Sequence, residues 1–120
     1  MDVVSNVYVG NEEHGPLGWM DRHGMERDLK RTMADVGWSI PLDRKVGTLT
    51  LAEQQMVEIL RAFHFKADLV LLDEPNSSFT DVETKALYDS VRRLRARGQA
   101  FLLVSHRLDE VLAIADTVTI

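Results

Sequence analysis

The chain has 120 residues, 45% of them hydrophobic and 28% charged, which is enough for a packed core and too apolar for a disordered segment. A formal net charge of −5 with no isolated basic patch argues against a nucleic-acid partner, and the lack of cysteine excludes disulfides and thiolate metal sites. No run approaches the roughly 18 apolar residues of a membrane-spanning helix, and no basic region followed by an apolar core opens the chain, so the expected location is cytoplasmic.

Residues 3–10, Val-Val-Ser-Asn-Val-Tyr-Val-Gly, fit either a short helix or a strand. Residues 10–24, rich in Gly and holding Pro16, read as a loop in which Leu17 and Trp19 are expected to pack against something. Met25, Leu29, Met33 and Val36 then recur with helical period, and Gly37 suits the position just past a helix end. Trp38 to Gly47, broken by Pro41, reads as a polar loop. Thr50-Leu51-Ala52-Glu53 has the pattern of a capping box and opens a predicted helix to about Phe65, with Ala52, Met56, Ile59 and Phe63 as its apolar stripe and Val57 and Leu60 beside it.

Leu69-Val70-Leu71-Leu72-Asp73-Glu74-Pro75 is an apolar run ending in two carboxylates and a proline. It reads as a buried strand that stops at Asp73, with Pro75 pushing Glu74 toward extended backbone. Thr80-Asp81-Val82-Glu83 is a second capping-box string, and the helix it opens carries Val82, Ala86, Leu87, Val91 and Leu94 on its predicted buried face. The cluster Arg92, Arg93, Arg95 and Arg97 reads as that helix's solvated face. Phe101 to Val104 is a second predicted strand, followed by Ser105-His106, a helix from Arg107 to Ala115 with Leu108, Val111, Leu112 and Ala115 inward, and a third strand from Thr117 to Ile120.

The second half is thus expected to be β-α-β-α-β, a parallel sheet with helical crossovers, preceded by a helical piece. The boundary falls near Lys66-Ala67-Asp68, giving a helical subdomain at 1–66 and an α/β core at 67–120. Parallel neighbours bring Asp73-Glu74 and Ser105-His106 to the same sheet edge, the carboxyl end where ligands sit in open α/β sheets. Two carboxylates and an imidazole there suit Mg²⁺ binding and activation of a water. A Ser105-His106 hydrolase is disfavoured, since neighbours along a strand point to opposite sides and no G-x-S-x-G occurs. His14, His23 and His64 are scattered and form no metal-ligand pattern; His64 is expected at a partly exposed helix end.

Four stretches in order, Leu49–Ile59, Leu69–Pro75, Ser77–Thr80 and Ser105-His106, resemble the signature, Walker B with its glutamate, D-loop and H-loop of ABC-transporter ATPases. Gln54-Gln55-Met56-Val57-Glu58-Ile59 and Ser77-Ser78-Phe79-Thr80 are similar to the sugar-importer branch, in its amino-terminal ATPase half. The resemblance implies a partial P-loop NTPase (RecA-like) sheet behind a helical subdomain. It implies ATP and Mg²⁺ as cofactors, with Asp73 on Mg²⁺ through water, Glu74 as general base and His106 on the γ-phosphate. Thr50, Leu51, Ala52 and Glu53 would meet the ATP of an opposite half, with a helix N-terminus offering free N–H groups. Ser77, Ser78, Phe79 and Thr80 would cross the interface between halves. The implied partners are a second ATPase half and transmembrane permease subunits, which would hold the chain on the inner face of the cell membrane.

Several positions depart from that pattern. Leu51, Ala52 and Glu53 stand where the family has glycines and usually Gln, so Glu53 brings negative charge toward a phosphate and the element also reads as a helix cap alone. Asn76 replaces the usual Thr and Phe79 the usual Leu. No G-x-x-x-x-G-K-[ST] occurs within these residues. The chain is therefore expected to be a middle-to-late piece of an ATPase domain, inactive in isolation and prone to self-association. The rival expectation is a non-catalytic module that docks membrane subunits.

Overall fold

Asp2 opens the first helix: its carboxylate accepts the Ser5 N–H at 2.9 Å and caps α1, Val3–Tyr8. The ambiguity at residues 3–10 thus resolves to helix, and Val3, Val4, Val7 and Tyr8 are fully buried. The structure is a computed structural model that describes residues 1–12, 15, 16 and 18–119. Contacts divide it into two units, Met1–Phe65 and Lys66–Ile120.

In the first unit Asp21 caps α2, Arg22–Val36, through the Gly24 N–H at 2.9 Å, so this helix starts three residues before the first residue of its apolar stripe. Gly37 ends it with φ 74°, the left-handed conformation that glycine adopts without a Cβ penalty. A short 3₁₀ turn at Val46–Thr48 leads to α3, Leu51–His64. The three helices pack on one another through Met25, Leu29, Met33 and Val36 of α2 and Met56, Val57, Ile59, Leu60 and Phe63 of α3. Backbone bonds from Val3 to Arg44 and from Val46 to Met1 tie the chain start to the 44–46 segment.

Two expectations for this unit fail. Residues 38–47 are not simply a polar loop, because Trp38, Ile40 and Leu42 are buried, with the Trp38 and Phe63 ring centroids 6.0 Å apart and the rings tilted by 33°. Trp19 does not pack; it is 79% exposed. Leu17 and His14 lie outside the described residues. His64 is partly exposed and joins three helices, with Nδ1 2.8 Å from the Thr32 hydroxyl and Nε2 2.7 Å from the Tyr8 hydroxyl.

The second unit holds β1, Leu69–Asp73, α4, Asp81–Ala96, β2, Ala100–Val104, and α5, Leu108–Ile114. β1 and β2 are parallel, with Leu69 opposite Ala100 and Asp73 opposite Val104. Side chains alternate across the pleat: Val70 and Leu72 are buried, while Leu69, Leu71, Leu102 and Val104 are 48–63% exposed on the other positions. Leu87, Tyr88 and Val91 form the buried stripe of α4, which packs on β2.

Val82 departs from its predicted inward place and is 80% exposed, because the helix turns Thr84, Leu87 and Tyr88 inward instead. Leu108 and Leu112 are also exposed, and Ile114 is the buried residue of α5. The third strand does not form at 117–119, where β2 has no further neighbour; Ile120 lies outside the described residues.

Candidate functional site

Parallel register sets the site. Asp73 pairs with Val104 at the ends of β1 and β2, and the Glu74 N–H donates to the Val104 carbonyl at 2.8 Å, extending the ladder by one bond. Ser105 and His106 follow directly. Glu74 Oε1 accepts the His106 backbone N–H at 2.9 Å and lies 2.9 Å from His106 Nδ1. The His106 side chain is 80% exposed and that of Glu74 34%, so the pair is open to a ligand on the imidazole side. Asp73 is exposed beside it.

Glu74 is not extended, as Pro75 led us to expect; its φ is +44°. An L residue enters this region at a cost of roughly 1–2 kcal/mol. Here the bonds to Val104 and His106 hold it, together with a turn in which the Ser77 N–H donates to the Glu74 carbonyl at 3.2 Å. Those tertiary bonds outweigh the local preference of a residue before proline.

Ser77 to Thr80 complete the turn. The Phe79 N–H donates to the Asn76 carbonyl, Ser77 and Thr80 are exposed, and Ser78 and Phe79 are half-buried. Thr80 caps α4 through the Glu83 N–H at 3.2 Å, and the Glu83 carboxylate returns to the Thr80 N–H at 2.7 Å. Pro75 and Asn76 are buried. The Asn76 amide donates to Glu110 Oε2, which also accepts the Tyr88 hydroxyl at 2.9 Å, while Glu110 Oε1 pairs with Arg107 at 2.7 Å. Burial, then the Glu110 carboxylate, push the Tyr88 hydroxyl far above its ordinary value, so it remains a donor. Sequence reasoning missed this cluster, since its members lie up to 34 residues apart and carry no motif.

Thr50, Leu51, Ala52 and Glu53 stand in the first unit, at the start of α3. The full capping box forms: the Glu53 N–H donates to Thr50 Oγ1 at 3.2 Å, and the Thr50 N–H donates to Glu53 Oε2 at 2.8 Å. That backbone bond holds the Glu53 carboxyl below the usual carboxylate range. Leu51 is 65% exposed. Two N–H groups of this helix start are therefore already bonded. Among the described residues no group of three or more His, Asp and Glu gathers as a metal cage. A site offering one exposed carboxylate fits Mg²⁺, which keeps several waters and takes its other ligands from phosphates.

No protein-family model matches the chain. Over its whole length it is 40% identical to a putative ribose/galactose/methyl galactoside import ATP-binding protein of Burkholderia cenocepacia, of which it covers 23%. It is 38% identical to the ribose import ATP-binding protein RbsA 1 of Burkholderia ambifaria, covering 24%. The chain thus spans about a quarter of the length of these curated relatives. Among solved structures, a nucleotide-free ATP-binding cassette from an ABC transporter superposes on 97% of the chain with TM-score 0.74 and 27% identity, the match covering 49% of that protein. A second cassette, MJ1267, gives TM-score 0.73 at 28% identity over the same shares.

The fold is thus part of a P-loop NTPase domain of the ATP-binding-cassette kind. Over its whole length the chain is similar to sugar-import ATP-binding proteins and to ABC ATP-binding cassettes, and no G-x-x-x-x-G-K-[ST] occurs within these residues.

Proposed function

We propose that the chain is part of the ATP-hydrolysing subunit of an ABC importer for a carbohydrate, in its amino-terminal ATPase half. The observation that carries this reading is the Glu74–His106 pair beside Asp73, at the carboxyl ends of two parallel strands. Residues 1–66 serve as the helical subdomain and 67–120 as part of the ATPase core. The relatives' roles in sugar import support the cargo class, and the rival reading of a non-catalytic docking module finds no support among them.

Asp73 would hold Mg²⁺ through water, and the metal would neutralise phosphate charge when bound. Glu74 keeps one oxygen on His106 and uses the carboxylate as general base toward the attacking water. His106, exposed, turns its other ring nitrogen to a γ-phosphate oxygen. Thr50 to Glu53 meet the ATP of the opposite half, and Ser77 to Thr80 cross to that half. The assembly sits on the inner face of the membrane through permease subunits.

Glu74→Gln tests this in an ATPase that contains these residues. ATP binding is expected to persist, and turnover to fall by roughly two or more orders of magnitude, as general-base loss does. Unchanged steady-state hydrolysis would remove Glu74 from the role.

A further inference from the structure

Glu110 gathers three segments of the second unit on one carboxylate. Asn76, 5% exposed, comes from the loop after β1, Tyr88 from α4, and Arg107 from the residue before α5. Both carboxylate oxygens are engaged, and the Glu110 side chain is 13% exposed. Asn76 stands two residues after Glu74, and Arg107 directly follows His106. The cluster therefore holds the backbone on both sides of the candidate pair. Glu74 needs such support, because its left-handed backbone persists only where surroundings over-determine it.

We propose that Glu110 is a positioning residue: its bond to Asn76, seated by Tyr88 and Arg107, keeps Glu74 in the conformation that contacts His106. Glu110 touches neither member of the pair and acts through the two loops. As a statement about catalysis this rests on the ATPase reading of Glu74 and His106; as a statement about the contact it does not.

The His106 N–H reports the contact, because its acceptor is Glu74 Oε1. Its hydrogen exchange is measured in an ATPase containing these residues, with Glu74→Ala setting the rate when the acceptor is gone. Asn76→Ala and Glu110→Ala are expected to speed that exchange by about tenfold or more, as loss of a bond to a charged group does. The amides at Leu87 to Val91 in the middle of α4 should keep their rates. Glu110→Gln, which keeps a carbonyl oxygen for Asn76 and Tyr88, should retain most of the protection. Tyr88→Phe keeps the buried ring and removes one donor, so it provides a folded variant with a partial effect should Glu110→Ala not fold.

Wild-type protection of His106 in Asn76→Ala would overturn the proposal, as would loss of protection spread evenly over α4, which marks general destabilisation. In an ATPase containing these residues, Asn76→Ala should lower kcat with little change in KM for ATP; the reverse split would also overturn it. Lost His106 protection in Asn76→Ala, with full ATPase in Glu74→Gln, would support the clamp and remove the ATPase reading. Retained protection in Asn76→Ala, with ATPase lost in Glu74→Gln, would do the opposite.

Discussion

Single side chains in this molecule tie distant backbone together through charge-assisted bonds. Glu74 joins the ends of two strands, Glu110 joins three segments, and Asp2 joins the start of α1 to α2 through Arg22 at 2.9 Å. Such bonds are stronger than neutral ones, and each is local enough to test by one substitution. Partial burial raises the Asp2 pKa, but the Ser5 N–H and the Arg22 guanidinium together bring it below its ordinary 3.8. A carboxyl with a depressed folded pKa stabilises the fold above its unfolded pKa, and that contribution is lost as pH falls through the folded value. Asp2→Asn keeps an acceptor for Ser5 and loses the ion pair. It is expected to be less stable than wild type at pH 7, by no more than ~1 kcal/mol for a pair this exposed. The difference in thermal midpoint should close as the pH drops below 3.8. A gap that stays constant into acid would mean that the charge contributes nothing.

At the scale of helices and strands, what could be read from the sequence was what neighbours along the chain decide. Both capping boxes form with the anticipated partners, because Thr50 with Glu53 and Thr80 with Glu83 need only a three-residue spacing. Gly37 closes α2 for a similarly local reason. Burial was less legible, since it depends on what packs opposite: Val82, Leu108 and Leu112 are apolar yet exposed, while Asn76 and Trp38 are buried. At the candidate site, the strand ends and the nearness of Glu74 to His106 followed from parallel pairing, whereas the left-handed Glu74 and the Glu110 cluster depend on tertiary bonds that no motif announces. The α3 start has two claims on it, cap and phosphate contact. Glu53→Gln separates them, because Gln can still complete a capping box but carries no charge. In an ATPase containing these residues it is expected to lower the apparent KM for ATP or raise turnover, by removing a negative charge from the phosphate's approach. A change confined to melting, of the ~1 kcal/mol typical of a weakened cap, would assign Thr50 to Glu53 to capping alone.

For the whole molecule, the two-stranded sheet sets the expectation. Val70 and Leu72 are buried and α4 packs on β2, while Leu69, Leu71, Leu102 and Val104 are open to solvent. Parallel strands with apolar residues at nearly every position belong to sheets covered on both faces. Four adjacent exposed aliphatic side chains on two short strands form the kind of contiguous patch that drives association. Two strands also leave two sets of unpaired edge groups, a second route to the same end. The 120-residue chain alone is therefore expected to self-associate with rising concentration, as read by light scattering over a dilution series. Leu71→Lys tests the face against the edges. Leu71 is 63% exposed, so lysine there should leave the β1 backbone in place while charging the middle of the patch. Association weakened by Leu71→Lys identifies the open face as the contact. Association that persists unchanged points to the strand edges instead. A monodisperse wild-type monomer at high concentration, with a single cooperative unfolding transition, would show that these residues satisfy their own sheet, and the inference from the open apolar face would fail.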